Sequence, residues 1–122
     1  MICIPLGKIP VPTPGTPVPI TAAMILAAAI TAGACPAGAT AAPLGVNGLC
    51  HKIEAWADTA DNAATYVKSA TGGAKIAPLP APASGHAEHW HEAHPGNLIN
   101  PLAFAVDAAT ATQGPIVTLW VD

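Results

Sequence analysis

Four of the five histidines in this 122-residue chain lie within nine residues, from His86 to His94. If this segment is a strand, His89 and His91 share a face; if it is a helix, histidines three positions apart are neighbours. Both arrangements could hold Zn²⁺, Ni²⁺ or Cu²⁺ through imidazole nitrogens, with a nearby glutamate as an oxygen ligand. The candidate metal ligands are His86, His89, His91 and His94. Their spacing matches no specific metal-site signature, so we predict no metal or cofactor and favour histidines that bond backbone and water in a loop.

A second interpretation of the histidine cluster is a contact that responds to pH. Histidines repeated around a symmetric oligomer would repel one another once protonated, and an unperturbed imidazole titrates near pH ~6.5. The clustering alone supports this hypothesis, and an unchanged thermal stability between mildly acidic and neutral pH would contradict it.

The remaining polar residues form no pattern that is typical of a catalytic site. The two serines, Ser69 and Ser84, lie outside a Gly-x-Ser-x-Gly motif. Cys50 is followed directly by His51 in the sequence. The two residues of a catalytic Cys/His pair are normally distant in the sequence and are brought together by the fold, so Cys50 is predicted to be a core thiol. The acidic residues predicted to lie in turns and at strand edges are Glu54, Asp58, Asp61 and Asp107. No glycine loop that could bind phosphate is present, and we predict that the chain is not an enzyme.

The three tryptophans are candidates for core and interface positions, since aromatic side chains bury large areas. Trp120 lies in an apolar segment and is predicted to be in the core. Trp56 shares a predicted strand face with Lys52 and Glu54, and Trp90 lies between histidines. Both are therefore candidate partner-binding residues, with partial packing against their own loop as the alternative.

The chain carries little charge for a globular domain. Charged residues make up 9% and apolar residues 52% of the sequence, and the mean hydropathy is +0.46. A monomer of this size would need more surface charge, so its surface faces either a membrane or neighbouring protein. The longest apolar run, residues 21–34, is shorter than the roughly 20 residues of a membrane-spanning helix, and no signal-peptide pattern precedes it. Neighbouring protein is the preferred interpretation, and no membrane partner is predicted.

Net charge and cysteine content argue against two further classes of protein. The net charge is −3, with four lysines and no arginine. Nucleic-acid-binding surfaces usually carry a basic stripe with arginine, so no nucleic-acid partner is predicted. The cysteines, Cys3, Cys35 and Cys50, are odd in number and lack Cys-x-x-Cys spacing. Free buried thiols are therefore predicted, rather than disulfides or a structural zinc site.

The N-terminal segment is rich in proline, with six prolines among the fifteen residues from Pro5 to Pro19. Proline fixes φ and lacks a backbone donor, which excludes a helix or a central strand and predicts an extended arm over residues 1–20. The apolar residues of the arm predicted to bind a partner are Ile4, Leu6, Ile9 and Val11. Because terminal arms are ordered only where something holds them, the sequence predicts a subunit of an assembly whose domain stays folded without residues 2–19.

Short apolar segments separated by turn signals follow the arm, which favours one all-β domain over residues 21–122. Residues 116–121 are apolar on both faces, which is typical of a central strand. The predicted strands are residues 51–57, 64–69, 102–107 and 116–121.

Three regions of this domain are less regular. Residues 22–31 are predicted to form a strand, with a short helix as the alternative, because β-branched residues and early helix breakers accompany the alanines. The Asn47-Gly48 pair predicts a hairpin turn. Residues 74–97 contain four prolines and four histidines and are predicted to be a long loop. The predicted fold is a small antiparallel β-sandwich or jelly-roll-like barrel with an extended Pro-rich N-terminal arm.

Three segments, in this order, resemble small virion proteins of tailed phages. Gly15–Thr21 (GTPVPIT) resembles their GTPVPLT opening, and His51–Ala70 resembles their central hairpin. Gly114–Asp122 (GPIVTLWVD) resembles their Leu-Trp-Val-Asp ending. The segments cover about a third of the chain, which departs from the pattern at residues 22–42 and in the histidine-rich loop.

The resemblance to head-decoration, or cement, proteins implies a non-enzymatic structural protein on the capsid surface of a virion. The implied partners are the major capsid protein and copies of the chain itself, as a homotrimer, and the implied role is stabilisation of the shell. The alternative is a neck, tail or spike component, or a module that binds the host surface through the loop with histidines and tryptophan.

Overall fold

The computed structural model describes residues 2–42, 44, 48–82, 88–93 and 98–121. This part of the chain forms eight strands, one α-helix and a short 3-10 helix at Pro101–Ala103 that precedes the seventh strand. In chain order the elements are β1 (Ile2–Lys8), β2 (Val18–Pro19), α1 (Ala22–Thr31), β3 (Lys52–Trp56), β4 (Thr65–Ser69), β5 (Lys75–Leu79), β6 (His89–Ala93), β7 (Phe104–Ala108) and β8 (Ile116–Val121).

The eight strands form two antiparallel sheets of four strands. The first sheet has the order β1-β8-β3-β6, and the second has the order β2-β7-β4-β5. With this order the chain crosses between the two sheets at six of its seven connections and places the first and last strands side by side, as in a jelly roll. The predicted all-β sandwich is confirmed.

The N-terminal segment is extended, as predicted, but it belongs to the domain rather than leaving it. β1 pairs along its length with β8, from Ile2 opposite Val121 to Lys8 opposite Ile116. Pro5 is tolerated because β1 is an edge strand, where a missing donor costs no hydrogen bond of the ladder. The register shifts after Pro5, and the bulge is completed by Gly7 at φ +72°. The prediction of a separate arm over residues 1–20 is therefore wrong. The segment begins with an edge strand, and a proline-rich connection follows it.

The core lies between the two sheets and is built from alternate residues of each strand. In β3 the predicted alternation is observed, since Ile53 and Ala55 are buried, and in β8 alternate residues, Val117, Leu119 and Val121, are buried as well. β8 lies between β1 and β3, which confirms it as a central strand. The second sheet contributes Val67, Leu79 and Val106 to the same core.

Residues 22–31 form helix α1, so the predicted strand is wrong and its alternative is right. Thr21 caps the helix, because its Oγ1 accepts a hydrogen bond of 3.2 Å from the Met24 amide. Gly33 ends it at φ +76° in a Schellman motif, in which the Ala34 amide donates to the Ala29 carbonyl at 2.9 Å. These two caps and the alanines outweigh the β-branched residues. Within the described part of the chain no helix is long and apolar enough to cross a membrane.

Two other predictions about the middle of the chain need correction. Residues 74–97 are not a continuous loop, since β5 and β6 lie within them. Pro78 argued against a strand at this position in the sequence. The proline is tolerated because β5 is an edge strand of the second sheet. β3 and β4 do not form a hairpin, because they belong to different sheets. The Asn47 half of the predicted Asn-Gly turn lies outside the described residues.

Gly114 is the position where two segments approach most closely. A Cβ at this position would lie 1.8 Å from the Ile9 carbonyl oxygen, and the Gly114 amide donates to Asp61 Oδ2 at 3.0 Å. We expect Gly114→Ala to lower the free energy of unfolding by at least ~2–3 kcal/mol, because backbone must move to make room. Gly38→Ala is the matched control, since Gly38 has open space around it and should change stability by less than ~0.5 kcal/mol. Urea unfolding of both variants measures this, and equal stability would contradict the close approach.

Candidate functional site

The outward face of the first sheet gathers polar and aromatic side chains from three neighbouring strands. β3 directs Lys52, Glu54 and Trp56 to this face, as its alternating pattern predicted. The register places Trp120 of β8 opposite Lys52 on one side, and His91 of β6 opposite Glu54 on the other. We call this set, together with His89, the outer-face cluster.

Glu54 lies at the centre of the outer-face cluster and accepts from several donors. Its Oε1 accepts hydrogen bonds of 2.8 Å from Trp120 Nε1 and from Lys52 Nζ. Its Oε2 accepts a hydrogen bond of 3.2 Å from Trp56 Nε1 and lies 3.5 Å from His89 Nε2. The hydrogen bond from Lys52 is the main cause that holds the pKa of Glu54 below its ordinary value, although partial burial opposes it. The carboxylate therefore stays ionised and orients both indole rings.

Three rings stack along the edge of this face. The Trp56 ring lies 4.3 Å from His89 with an interplanar angle of 27°, and His89 lies 5.1 Å from His91 with an angle of 22°. Trp56 is 40% exposed, although it is one of the largest apolar side chains of the protein. The result is a fixed aromatic platform beside a carboxylate, an arrangement that can bind a flat or apolar group by stacking and a donor through Glu54.

The structure brings together two of the four candidate metal ligands. His89 and His91 share the outward face of β6, as predicted for a strand, whereas His86 and His94 lie outside the described residues. Among the residues that the structure describes, no three histidine, cysteine or acidic side chains are placed to hold a metal ion. The response to pH that the clustered histidines suggest stays a prediction.

Most of the residues predicted for partner binding at the N-terminus serve the protein's own core. Ile4 and Val11 are fully buried and Ile9 is 4% exposed, while Leu6 is half-buried against the same core. The correction has a simple cause: the ladder with β8 turns alternate residues of this segment inward. Prolines masked that strand pattern in the sequence.

The distribution of the three tryptophans between core and surface differs from the prediction. Trp56 is exposed, and its predicted contact with a partner stays a prediction. Trp90 is half-buried with its ring 5.6 Å from Phe104, so it packs mainly against its own domain. Trp120 is not in the core but half-buried on the outer face, where Glu54 accepts its indole hydrogen. Its neighbours in β8, Leu119 and Val121, fill the core instead.

Two buried carboxylates that the sequence placed in turns and at strand edges are structural. Asp107 is buried in β7 and pairs with Lys68 of β4. Asp61 is buried at the end of a turn, with its Oδ1 2.7 Å from Lys8 Nζ, and Asp58 Oδ2 lies 3.0 Å from the same nitrogen. Lys68 and Asp107 are 39 residues apart in the chain, and Lys8 and Asp61 are 53 residues apart. No local sequence pattern could therefore have revealed these ion pairs.

The cysteines are free thiols in the structure, as predicted. Cys50 is fully buried, whereas Cys3 and Cys35 are half-buried. Burial raises the pKa of the Cys50 thiol to about 11. The thiolate that a nucleophile requires is therefore strongly disfavoured at this position.

A second surface of interest surrounds α1. The helix contains no charged residue, and only Ile25 and Ala29 are fully buried. A cavity of about 580 Å³ lies between the helix and the segment that precedes β3, with Leu26, Ala42 and Leu44 among its lining residues. An apolar helix is normally covered on most of its surface, so this region is available for contact with another protein.

Comparisons of the chain with protein families, with curated proteins and with solved structures found no significant match.

Proposed function

We propose that this chain is a non-enzymatic structural protein of a phage virion that binds the capsid shell and stabilises it. Its partners are the major capsid protein and copies of itself. The proposal draws on the resemblance of three segments to decoration proteins, and on a jelly-roll topology that is common among capsid proteins. Because a fold alone does not specify a function, the surface must carry the argument.

The observation that carries the proposal is the distribution of charge. From Ile9 to His51 the sequence contains no lysine, arginine, aspartate or glutamate, and this stretch includes α1 with its exposed alanines. A surface of this size without charge is poorly suited to remain free in solution and well suited to bury apolar area against another subunit. The surface around α1, rather than the N-terminal segment, is therefore the proposed contact.

Other exposed apolar side chains of the described residues are consistent with a protein that is covered in its assembly. The large ones, each exposed by 37–42%, are Ile2, Trp56, Ile76, Leu98 and Leu102. A cement protein acts by adding buried area across a junction between shell subunits, so it needs several such contacts rather than one deep pocket.

The test is binding to shells that lack the chain. Purified protein should co-sediment with such shells, raise the temperature at which they rupture, and reach hundreds of copies per particle by quantitative mass spectrometry. Ala27→Glu, at an exposed position of α1, should weaken binding, because it places a charge in the proposed contact. Thr71→Glu adds the same charge in an exposed turn after β4 and should leave binding unchanged.

The copy number decides between the proposal and its nearest alternative. A handful of copies per particle would indicate a neck, tail or spike component, and absence from particles would refute the virion proposal. Equal binding of the two glutamate variants would refute the role of α1.

The outer-face cluster supports a second candidate, a module that binds the host surface. The specific observation is the exposed Trp56 ring, held by His89 beside the ionised Glu54, which could stack on a sugar or an apolar group. Trp56→Ala should then reduce adsorption to host cells while leaving shell binding intact. Unchanged adsorption to host cells together with weakened shell binding would exclude this candidate.

A further inference from the structure

The two sheets have four outer edges, and three of them are protected against pairing with another strand. β1 carries Pro5 and a bulge at Gly7, and β2 has only two residues, one of them proline. β5 carries Lys75 and Pro78. Short edges, prolines, bulges and lysines are among the features by which natural proteins prevent edge-to-edge association, as are charged side chains in general. β6, with the sequence His-Trp-His-Glu-Ala, has no proline, bulge or lysine, and its one charged residue is Glu92.

The hydrogen-bond pattern shows which groups β6 presents at its free edge. The Ala57 amide donates to the Glu88 carbonyl at 2.9 Å, and the register continues with Ala55 opposite Trp90. In an antiparallel ladder the bonded pairs alternate, so every second residue of β6 directs its amide and carbonyl toward β3. The residues between them direct theirs away from the sheet; they are His89, His91 and Ala93. Within the described part of the chain, no other strand pairs with that edge.

We propose that a second copy of this chain pairs with the free edge of β6, antiparallel and about a two-fold axis that passes His91. In this register His91 lies opposite His91 of the second copy, and His89 lies opposite Ala93 on both sides of the axis. Three residue pairs then exchange two backbone hydrogen bonds each. The two first sheets become one continuous sheet of eight strands, which joins the two outer-face clusters.

The charges of β6 favour this register over the two adjacent ones. Pairing must match residues whose amides point outward, so the next allowed registers are shifted by two residues. One shift places Glu88 opposite Glu92, and the other places Glu92 opposite Glu92; like charges directly opposite each other destabilise a sheet. The register centred on His91 places Glu92 opposite Trp90 instead. The register centred on His91 is therefore favoured over both adjacent registers, and this self-complementarity suits the strand to pair with a copy of itself.

The proposed dimer follows from the free edge of β6 and does not depend on the virion proposal. It also differs from the trimer that the family resemblance implies, since an antiparallel pair of identical strands has two-fold symmetry. A dimer in solution without any shell binding, or the reverse, would separate the two proposals.

The first experiment measures the mass of the full chain in solution by sedimentation equilibrium and native mass spectrometry. We expect a reversible dimer. His91→Lys places two like charges on the axis and should raise the dimer Kd about two- to five-fold, while its ammonium can pair with Glu54 within each copy. His89→Lys is the matched control, because the same charge would face Ala93 of the second copy and leave the Kd unchanged.

A second experiment does not depend on small shifts in affinity. Cα atoms of bonded antiparallel pairs lie about 5.5 Å apart, within reach of a disulfide. His91→Cys should therefore form a covalent dimer on mild oxidation, whereas His89→Cys and the wild-type protein should not. A wild-type protein that is monomeric at high concentration or that is trimeric would overturn the proposal, as would equal cross-linking of the two cysteine variants.

Discussion

Deletion of residues 2–11 is expected to unfold the domain. The deletion removes β1, the neighbour of β8 on its outer side, and with it the buried side chains of Ile4, Ile9 and Val11. Loss of each buried aliphatic side chain costs about 2–5 kcal/mol, while the whole domain has a free energy of unfolding of roughly 5–15 kcal/mol. The truncated chain should lack a cooperative thermal transition and give the poorly dispersed amide NMR spectrum of an unfolded protein. An independent arm would give the opposite result, namely a folded domain with an unchanged melting temperature.

Two substitutions on the same strand refine this prediction. Ile4 is fully buried and Ile2 is 37% exposed, so Ile4→Ala should lower the free energy of unfolding by about 2–5 kcal/mol and Ile2→Ala by far less. Both leave the backbone ladder with β8 in place. If the two variants were equally stable, β1 would not contribute to the core as described.

The prediction from strand alternation in β3 agrees with the structure, whereas the strand predicted from local propensity over residues 22–31 and the arm predicted at the N-terminus do not. Alternation in β3 identified which of its residues face the core, because one side of the strand must be buried. Nothing in the N-terminal sequence indicates that Ile2 will lie opposite Val121, since that pairing joins the two ends of the chain. The prolines exclude a helix and a central strand but leave an edge strand possible, and the structure forms that edge strand where an extended arm was predicted.

The candidate site was predictable to a similar extent. Periodicity predicted that Trp56 and Glu54 share a strand face, and that His89 and His91 would share one if their segment were a strand; both pairs do, although a loop was predicted for residues 74–97. Their union into one cluster depends on β6 pairing with β3, which joins residues that are distant in the sequence. Trp120 was assigned to the core from its apolar surroundings, although its indole hydrogen needs an acceptor, and Glu54 provides it on the outer face.

Asp107→Asn is expected to be the most destabilising isosteric substitution of a charged residue in the second sheet. The Asp107 side chain is 2% exposed, and it accepts hydrogen bonds from Lys68 Nζ, from the Ala108 amide at 2.8 Å and from the Gly15 amide at 3.1 Å. An asparagine can still accept from the two amides, but it leaves the Lys68 ammonium, whose side chain is 14% exposed, without its counter-ion. Removing one partner of such a pair costs about 3–5 kcal/mol, which urea unfolding at neutral pH will measure.

Asp58→Asn is the matched control for this variant. Lys8 would lose one carboxylate and keep the other, Asp61, and the Lys8 side chain is 33% exposed. A more solvated pair contributes about 1 kcal/mol or less. Equal losses of stability in the two variants would show that burial of the Asp107 pair has no energetic consequence.

The pH dependence of Asp107→Asn separates the charge of Asp107 from its packing. Burial raises the pKa of Asp107, but the hydrogen bonds from Lys68 and from the Ala108 and Gly15 amides outweigh it and hold the pKa below its ordinary value of 3.8. A carboxyl with a lowered folded-state pKa stabilises the protein above its unfolded-state pKa, and this stabilisation is lost as the pH falls through the folded-state value. The difference in unfolding free energy between wild type and Asp107→Asn should therefore be constant near neutral pH and shrink below pH 3.8. Glu54 and Asp58, whose pKa values are also lowered, add acid sensitivity to both proteins alike, so their effect cancels in the difference. A difference that stays constant into acid would mean that the Asp107 carboxylate contributes through its shape and amide hydrogen bonds alone, and that Lys68 gains nothing from its charge.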